Sequence, residues 1–184
     1  MTTTQHQATT SASGNRLPDV GQIREWLQQV PDPEIPVISV IDLGIVRDIR
    51  WQENDEGATC IITITPTYSG CPAMQVIAEG IAEILHAHDI HLVQLETQLS
   101  PAWSTDWMSE SGKQKLQGYG IAPPVQQVID ISGIRRHTIS DPVVPCPQCG
   151  SLETRLVSQF GSTACKALYK CQSCLEPFDY FKCH

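Results

Sequence analysis

Positive charge is scarce in this sequence: 12 Lys and Arg stand against 20 Asp and Glu, a formal net charge of -8. A surface of that sign repels phosphate backbones and anionic lipid heads, so neither nucleic acid nor membrane is expected as a partner. Long apolar runs are missing too, and no segment approaches membrane-spanning length. The opening residues, MTTTQHQATTSASGN, carry neither a basic patch nor an apolar stretch of export length, and a cytoplasmic location is the expectation. There is no Ser-His-Asp set, no glycine loop of the phosphate-cradling kind and no His-x-x-x-His pair. Catalysis has no anchor in the sequence, and the chain is expected not to be an enzyme. No internal repeat is visible.

What is present suggests one medium domain and a small appendage that needs a staple. Residues 1–16 are rich in Thr, Ser, Gln and Gly, with too few apolar groups to offset the entropy of ordering them, and are expected to be a disordered tail. Pro18 and Asp19 open a helical pattern with Val20, Ile23, Trp26, Leu27 and Val30 on one face. PDPEIP ends it. VISVIDLGIVRDIRW then reads as extended backbone interrupted at Gly44, NDEG as a turn and ATCIITIT as the partner strand, which together make a hairpin. From Pro72, the residues Met74, Ile77, Ala78, Ile81, Ile84 and Leu85 recur at helical intervals. HLVQLETQL is a further alternating strand, and a Ser104 or Thr105 cap starts a helix that stops at Gly118. The order α-β-β-α-β-α over residues 17–120 predicts an α+β fold, a small mixed β-sheet with helices packed on one face. Residues 121–145, with APP and DPVVP, read as a linker.

Residues 146–184 hold six of the eight cysteines. In a reducing compartment that density points to metal ligation or thiol chemistry in preference to disulfides. CPQCG and CQSC are two Cys-x-x-Cys pairs, 21 residues apart, with strand-turn-strand character between them. The pattern predicts a zinc ribbon in which Cys146, Cys149, Cys171 and Cys174 fill a tetrahedral, structural site. An iron-sulfur cluster or a rubredoxin-like iron is the alternative. Metal would supply the folding energy that so short a segment lacks. Leu175 stands where a glycine is expected after the second pair. Cys165 and Cys183 are open among three readings: buried thiols, substitute ligands, or a second site with His184. His137 reads as an exposed side chain of the linker.

Cys71, in TYSGCPAM, lies where a strand hands over to a helix. Pro72 is preset for the first helical position, which would turn unpaired amide N-H groups toward the thiol, lower its pKa and make it a metal ligand or nucleophile. The other reading is a small apolar residue fitted to a tight turn. Asp32 and Glu34 flank Pro33 in a rigid loop and Asp42 precedes Leu43-Gly44. These three carboxylates either line a pocket or are solvated turn residues and caps.

At DPEIPVISVIDLGIV, ITPTYSGCPAM and PAWSTDWMS the chain resembles the SufT-like iron-sulfur assembly family. WMSESGKQKLQGYGIAPP and GSTACKALYKCQSCLEPFDYFKCH narrow the resemblance to its PaaD type, encoded with the bacterial phenylacetyl-CoA epoxidase. It covers roughly residues 18–184. The resemblance implies a non-catalytic accessory of phenylacetate breakdown, whose client would be the oxygenase's [2Fe-2S] reductase component. It also implies that Cys71 matches the family's reactive cysteine, and that Asp32, Pro33, Glu34, Asp42 and Gly44 match its motif residues. A transient iron or iron-sulfur cluster at Cys71, besides the ribbon zinc, follows as the expected cargo. Ala102 departs from the family pattern, in which two prolines precede the tryptophan. A structural subunit of the oxygenase without cluster handling is the alternative, and a nucleic-acid-binding ribbon is disfavoured by charge. An edge strand in so small a sheet leaves a homodimer open.

Overall fold

A computed structural model of the chain describes residues 17–55, 57–125 and 142–182. The expected tail, His137, Cys183 and His184 lie outside these residues. Helix α1 (Val20–Leu27) is capped by Asp19, whose carboxylate accepts from the Gln22 N-H at 2.9 Å. Ile23 and Leu27 are buried, while Val20 is exposed, so the apolar face is narrower than its periodicity predicts.

Between α1 and the first strand the structure differs from the sequence reading. Residues 37–44, expected to be extended, continue the turns of the PDPEIP loop. The Asp32 carboxylate accepts from the N-H groups of Glu34 and Ile35 at 2.9 and 2.7 Å. The Asp32 N-H donates to the Ile38 carbonyl at 2.8 Å, and that of Val40 to the Val30 carbonyl at 3.0 Å. These bonds coil the backbone while Ile35, Ile38, Val40, Leu43 and Ile45 all point into the core. A buried irregular loop and a buried strand share the same apolar composition, which is why the pattern misleads. Gly44 has φ +69°, and a Cβ there would fall 2.1 Å from the Trp107 carbonyl oxygen, so no other residue fits.

Strands β1 (Val46–Asn54) and β2 (Gly57–Ile64) form the expected antiparallel hairpin, with Asn54 opposite Gly57. Helix α2 (Met74–His86) then crosses back to β3 (Val93–Thr97), which runs parallel to β2. The order β1-β2-β3 makes a mixed sheet with β2 in the centre. Ile77, Ile81 and Leu85 of α2 join Ile23 and Leu27 over Ile49, Cys60, Ile62 and Ile64 in one core. Across the other face Arg50 reaches Glu96 at 2.8 Å and Thr63 at 3.3 Å, tying β1 to β3 over β2. The single helix expected after Ser104 is split. Ser104 caps a 3-10 turn at Thr105–Trp107, and Ser109 caps helix α3 (Glu110–Gly118).

The remaining strands build a second sheet: β4 (Ile121–Ala122), β5 (Thr154–Ser158), β6 (Lys166–Cys171) and β7 (Pro177–Phe181), in the order β4-β7-β6-β5. The expected linker, 121–145, therefore begins as an edge strand paired in parallel with β7, and near its end Val144 is fully buried. Phe181 and Cys165 of the ribbon also belong to the main core. The Phe181 ring meets Trp103 edge-on, with centroids 6.0 Å apart at 75°, and the Trp103 indole donates to the Leu43 carbonyl at 3.0 Å. The ribbon is thus packed onto the first domain through shared apolar contacts.

Asp42 holds the irregular loop to α3. Only 2% exposed, it accepts from Lys115 Nζ at 2.6 Å, Ser109 Oγ at 2.8 Å and the Ser39 N-H at 3.2 Å. Burial alone would raise its pKa, but these donors outweigh it and the carboxyl titrates below the ordinary value of 3.8. Asp42→Ala is predicted to lower the unfolding free energy by about 2 to 3 kcal/mol, measured by urea denaturation at neutral pH. Because the folded pKa is depressed, this contribution is present above pH 3.8 and is lost as pH falls through the lower folded value. The two stability curves therefore converge in acid.

Candidate functional site

The ribbon turns bring four sulfurs together. At the first, Gly150 adopts φ +73° and its N-H donates to the Cys146 carbonyl at 2.9 Å. At the second, Cys171 Sγ accepts from the N-H groups of Cys174 and Ser173, each at 3.4 Å, which holds that thiol below the usual cysteine range. Cys146 and Cys174 sulfurs lie 3.7 Å apart and those of Cys149 and Cys171 3.6 Å apart, all four within 4.8 Å of one another. Tetrahedral zinc with Zn–S bonds of about 2.3 Å separates its sulfurs by about 3.8 Å, so the donor set and spacing fit zinc. The four cysteines would hold it, and a site closed by four thiolates supplies folding energy with no open coordination position. Leu175 takes φ +67°, the same left-handed turn that Gly150 makes. The missing glycine is replaced by a strained leucine at a cost of roughly 1 kcal/mol.

Cys71 lies two residues before Ala73, the N-cap of α2. The turn is closed by the Cys71 N-H to the Tyr68 carbonyl and the Met74 N-H to the Cys71 carbonyl, both at 3.3 Å. The sequence reading places this thiol among unpaired helix amides and expects a lowered pKa. The structure corrects that. Burial is the strongest influence and pushes the thiol above its ordinary value, and the carboxylates of Glu34 and Asp32 push the same way; the Ala73 N-H and the Tyr68 hydroxyl, its two donors, oppose this without prevailing. The N-H of Ala73, the helix cap, is the one backbone amide among the leading influences on Cys71.

Asp32 and Glu34 lie near enough to act on the charge of Cys71, while Asp42 is committed to its contacts with Ser39, Ser109 and Lys115. Two residues join that the sequence does not assign to the group. Tyr68 lies against Cys71, and its hydroxyl is pushed up to about 12, chiefly by burial and then by the thiol beside it. Cys165 arrives from the ribbon: its thiol donates to Glu34 Oε2 at 3.5 Å and contacts Thr163 Oγ1 at 3.0 Å. It is 4% exposed, and burial pushes it up to about 11. Tyr68 falls within the motif TYSGC. Nothing local points Cys165 at a carboxylate 131 positions away. A cleft of about 490 Å³ adjoins the group, lined by Thr65, Tyr68, Leu99, Trp103, Phe160 and Ala164 among others. Burial and Glu34 keep both thiols protonated, Asp32 adding to this at Cys71 and the buried Lys166 opposing it at Cys165, and a thiophilic cation able to displace the protons would find sulfur and carboxylate there.

Residues 21–89 match the family described as iron-sulfur cluster assembly protein, and residues 132–182 match the PaaD zinc beta ribbon domain. The class is thereby defined: an iron-sulfur assembly domain that carries a zinc ribbon. Over 166 residues the chain is 48% identical to an Escherichia coli (strain K12) protein named as a component of 1,2-phenylacetyl-CoA epoxidase, covering 90% of this chain and 94% of that one. The chain belongs to the PaaD family, within the SufT-like iron-sulfur assembly proteins. It is also 32% identical over 91 residues to the Fe-S protein maturation auxiliary factor YitW of Bacillus subtilis (strain 168), covering 49% of this chain and 85% of that one. A solved domain of unknown function from Bacillus anthracis is similar at 28% identity and a TM-score of 0.46, covering 52% of this chain and 89% of that one. Among the described residues no helix is long and apolar enough to cross a membrane.

The geometry of the two cysteine sites sets two expected outcomes. In zinc-loaded protein at neutral pH, Cys71 is alkylated by iodoacetamide more slowly than free cysteine, and Glu34→Gln speeds the reaction by removing a charge that raises the thiol; peptide mass mapping reads both rates. Leu175→Gly slows zinc loss to a competing chelator by about fivefold, through relief of roughly 1 kcal/mol of backbone strain.

Proposed function

We propose that this protein is a non-catalytic maturation factor for the phenylacetyl-CoA epoxidase system, acting in the cytoplasm on its [2Fe-2S] reductase component. Cys71, with Asp32 and Glu34 beside it, transiently holds iron or an iron-sulfur cluster. The observation that carries the reading is that the Cys71 thiol stands within electrostatic reach of Glu34 and Asp32, all three inside the segment matching the iron-sulfur assembly family. Soft sulfur binds iron yet is displaced by another cysteine, and the carboxylates add the negative field that favours a cation. The 48% identity over nearly the whole chain to a protein named as an epoxidase component supports the choice of system. The ribbon, whose exposed Val157, Phe160 and Leu175 are apolar, supplies a docking surface for the client.

One observation favours a second reading, a structural subunit of the oxygenase that handles no cluster. Among the described residues, only the ribbon cysteines gather three or more ligand atoms within 4.8 Å of one another. A Cys71→Ala variant expressed with the epoxidase components separates the two. Maturation by Cys71 predicts a fall in reductase cluster content and, with it, in epoxidase activity. Retention of both would leave the structural reading in place.

A further inference from the structure

The ribbon delivers one more thiol to the Cys71 group than the assembly domain possesses. Cys165 lies immediately before β6, whose first residue, Lys166, is also buried. The Lys182 N-H donates to the Cys165 carbonyl at 3.0 Å, and the Gly161 N-H to that of Lys166 at 2.7 Å. These bonds fix Cys165 against the 31–45 loop, where its sulfur meets Glu34 Oε2 at 3.5 Å. The same carboxylate acts on Cys71, and Tyr68 feels both thiols. An apolar interface explains why Phe181 is there; it does not explain a cysteine donating to an acid across the boundary.

A second observation is independent of the thiols. Thr65, 1% exposed, lines the cleft beside them. Its Oγ1 is the one buried side-chain oxygen or nitrogen among the described residues without a hydrogen-bond partner. A buried hydroxyl left unsatisfied costs free energy, and a native site that keeps one calls for an acceptor the protein itself does not provide.

We propose that Cys71 and Cys165 are paired ligands for one iron cargo held at the edge of this cleft, where Tyr68 and Ala164 line it, with the Thr65 hydroxyl donating to a sulfur of that cargo. Each thiol releases its proton to solvent as its Fe–S bond forms, and no electron is transferred. The site is therefore bipartite, with one ligand from the assembly domain and one from the ribbon. The group does not close on a point in the manner of the ribbon cysteines. A sulfide-bridged cluster, whose irons take thiolates from separate positions, is proposed over a single ion, because bridging sulfide supplies the ligands that two thiols lack and gives the Thr65 hydroxyl its acceptor. The inference rests on the role given to Cys71 above.

The test uses full-length protein holding one zinc per chain, treated anaerobically in two arms: ferrous iron alone, and ferric iron with sulfide, which form a diferric sulfide-bridged cluster without any further oxidant. Iron content and visible and Mössbauer spectra are read for wild type, Cys71→Ser, Cys165→Ser and Thr65→Val. Retained zinc and an unchanged circular dichroism spectrum certify that each variant is folded. Thiolate-ligated iron is expected in wild type in the sulfide arm and is lost in both cysteine variants. Thr65→Val binds iron initially but releases it faster. Should iron bind only without sulfide, dependence on both cysteines still supports the pair and assigns it to an ion. If Cys165→Ser binds as wild type in both arms while Cys71→Ser does not, the pairing is overturned and the role of Cys71 stands. If both cysteine variants bind as wild type, both readings fall.

Discussion

The contact on which the arrangement depends is the seat of the ribbon on the assembly domain. The ribbon's own core is a handful of residues, among them Val144, Tyr169, Phe178 and Tyr180, and a segment of about 40 residues with so little to bury stays folded only if something else draws it together. Four thiolates around one metal do that. Once drawn, β7 presents Phe181 to Trp103, and the turn before β6 presents Cys165 to Glu34. Metal at one end of the ribbon thus determines which side chains reach the far end. The edge strand β4, donated by the chain as it leaves α3, locks the two parts in register.

This seat changes the chemistry expected of Cys71. In isolation a cysteine just ahead of a helix would gain from the amide dipoles. Here the neighbouring elements bury it, and the 31–45 loop turns Asp32 and Glu34 toward it. The result is a neutral thiol kept from ionising chiefly by burial, and further by the same acids that would welcome a cation. A site of that kind is quiet when empty and deprotonates on loading, which suits a carrier better than a permanently charged nucleophile.

Much of this is legible in the sequence wherever local chemistry decides. Asp19 opens α1 as its cap, NDEG turns the hairpin, and the two Cys-x-x-Cys pairs converge despite Leu175. Local pattern fails where tertiary contacts override it. VISVIDLG reads as a strand because its apolar residues are core residues, but the Leu43 N-H donates to the Ser39 carbonyl and the Gly44 N-H to the Ile41 carbonyl, which coils them instead. Asp42 reads as either a pocket carboxylate or a turn residue, and it is Lys115 on α3 and Ser109 at its cap that claim it. Ile121 and Val144 read as linker because their partners belong to another sheet. The place of Cys165 depends on how two separately stabilised parts pack, and no spacing rule encodes that.

The most direct test concerns the seat of the ribbon itself. Nuclear Overhauser cross-peaks between the Trp103 indole and the Phe181 ring, recorded on zinc-loaded protein and again after zinc is chelated, report whether metal seats the ribbon. Strong cross-peaks are predicted with zinc, and their loss on chelation, while the Trp103 indole N-H keeps the shift that marks its bond to Leu43. Zinc-loaded protein without those cross-peaks, or cross-peaks that persist once the metal is gone, would contradict a metal-dependent seat.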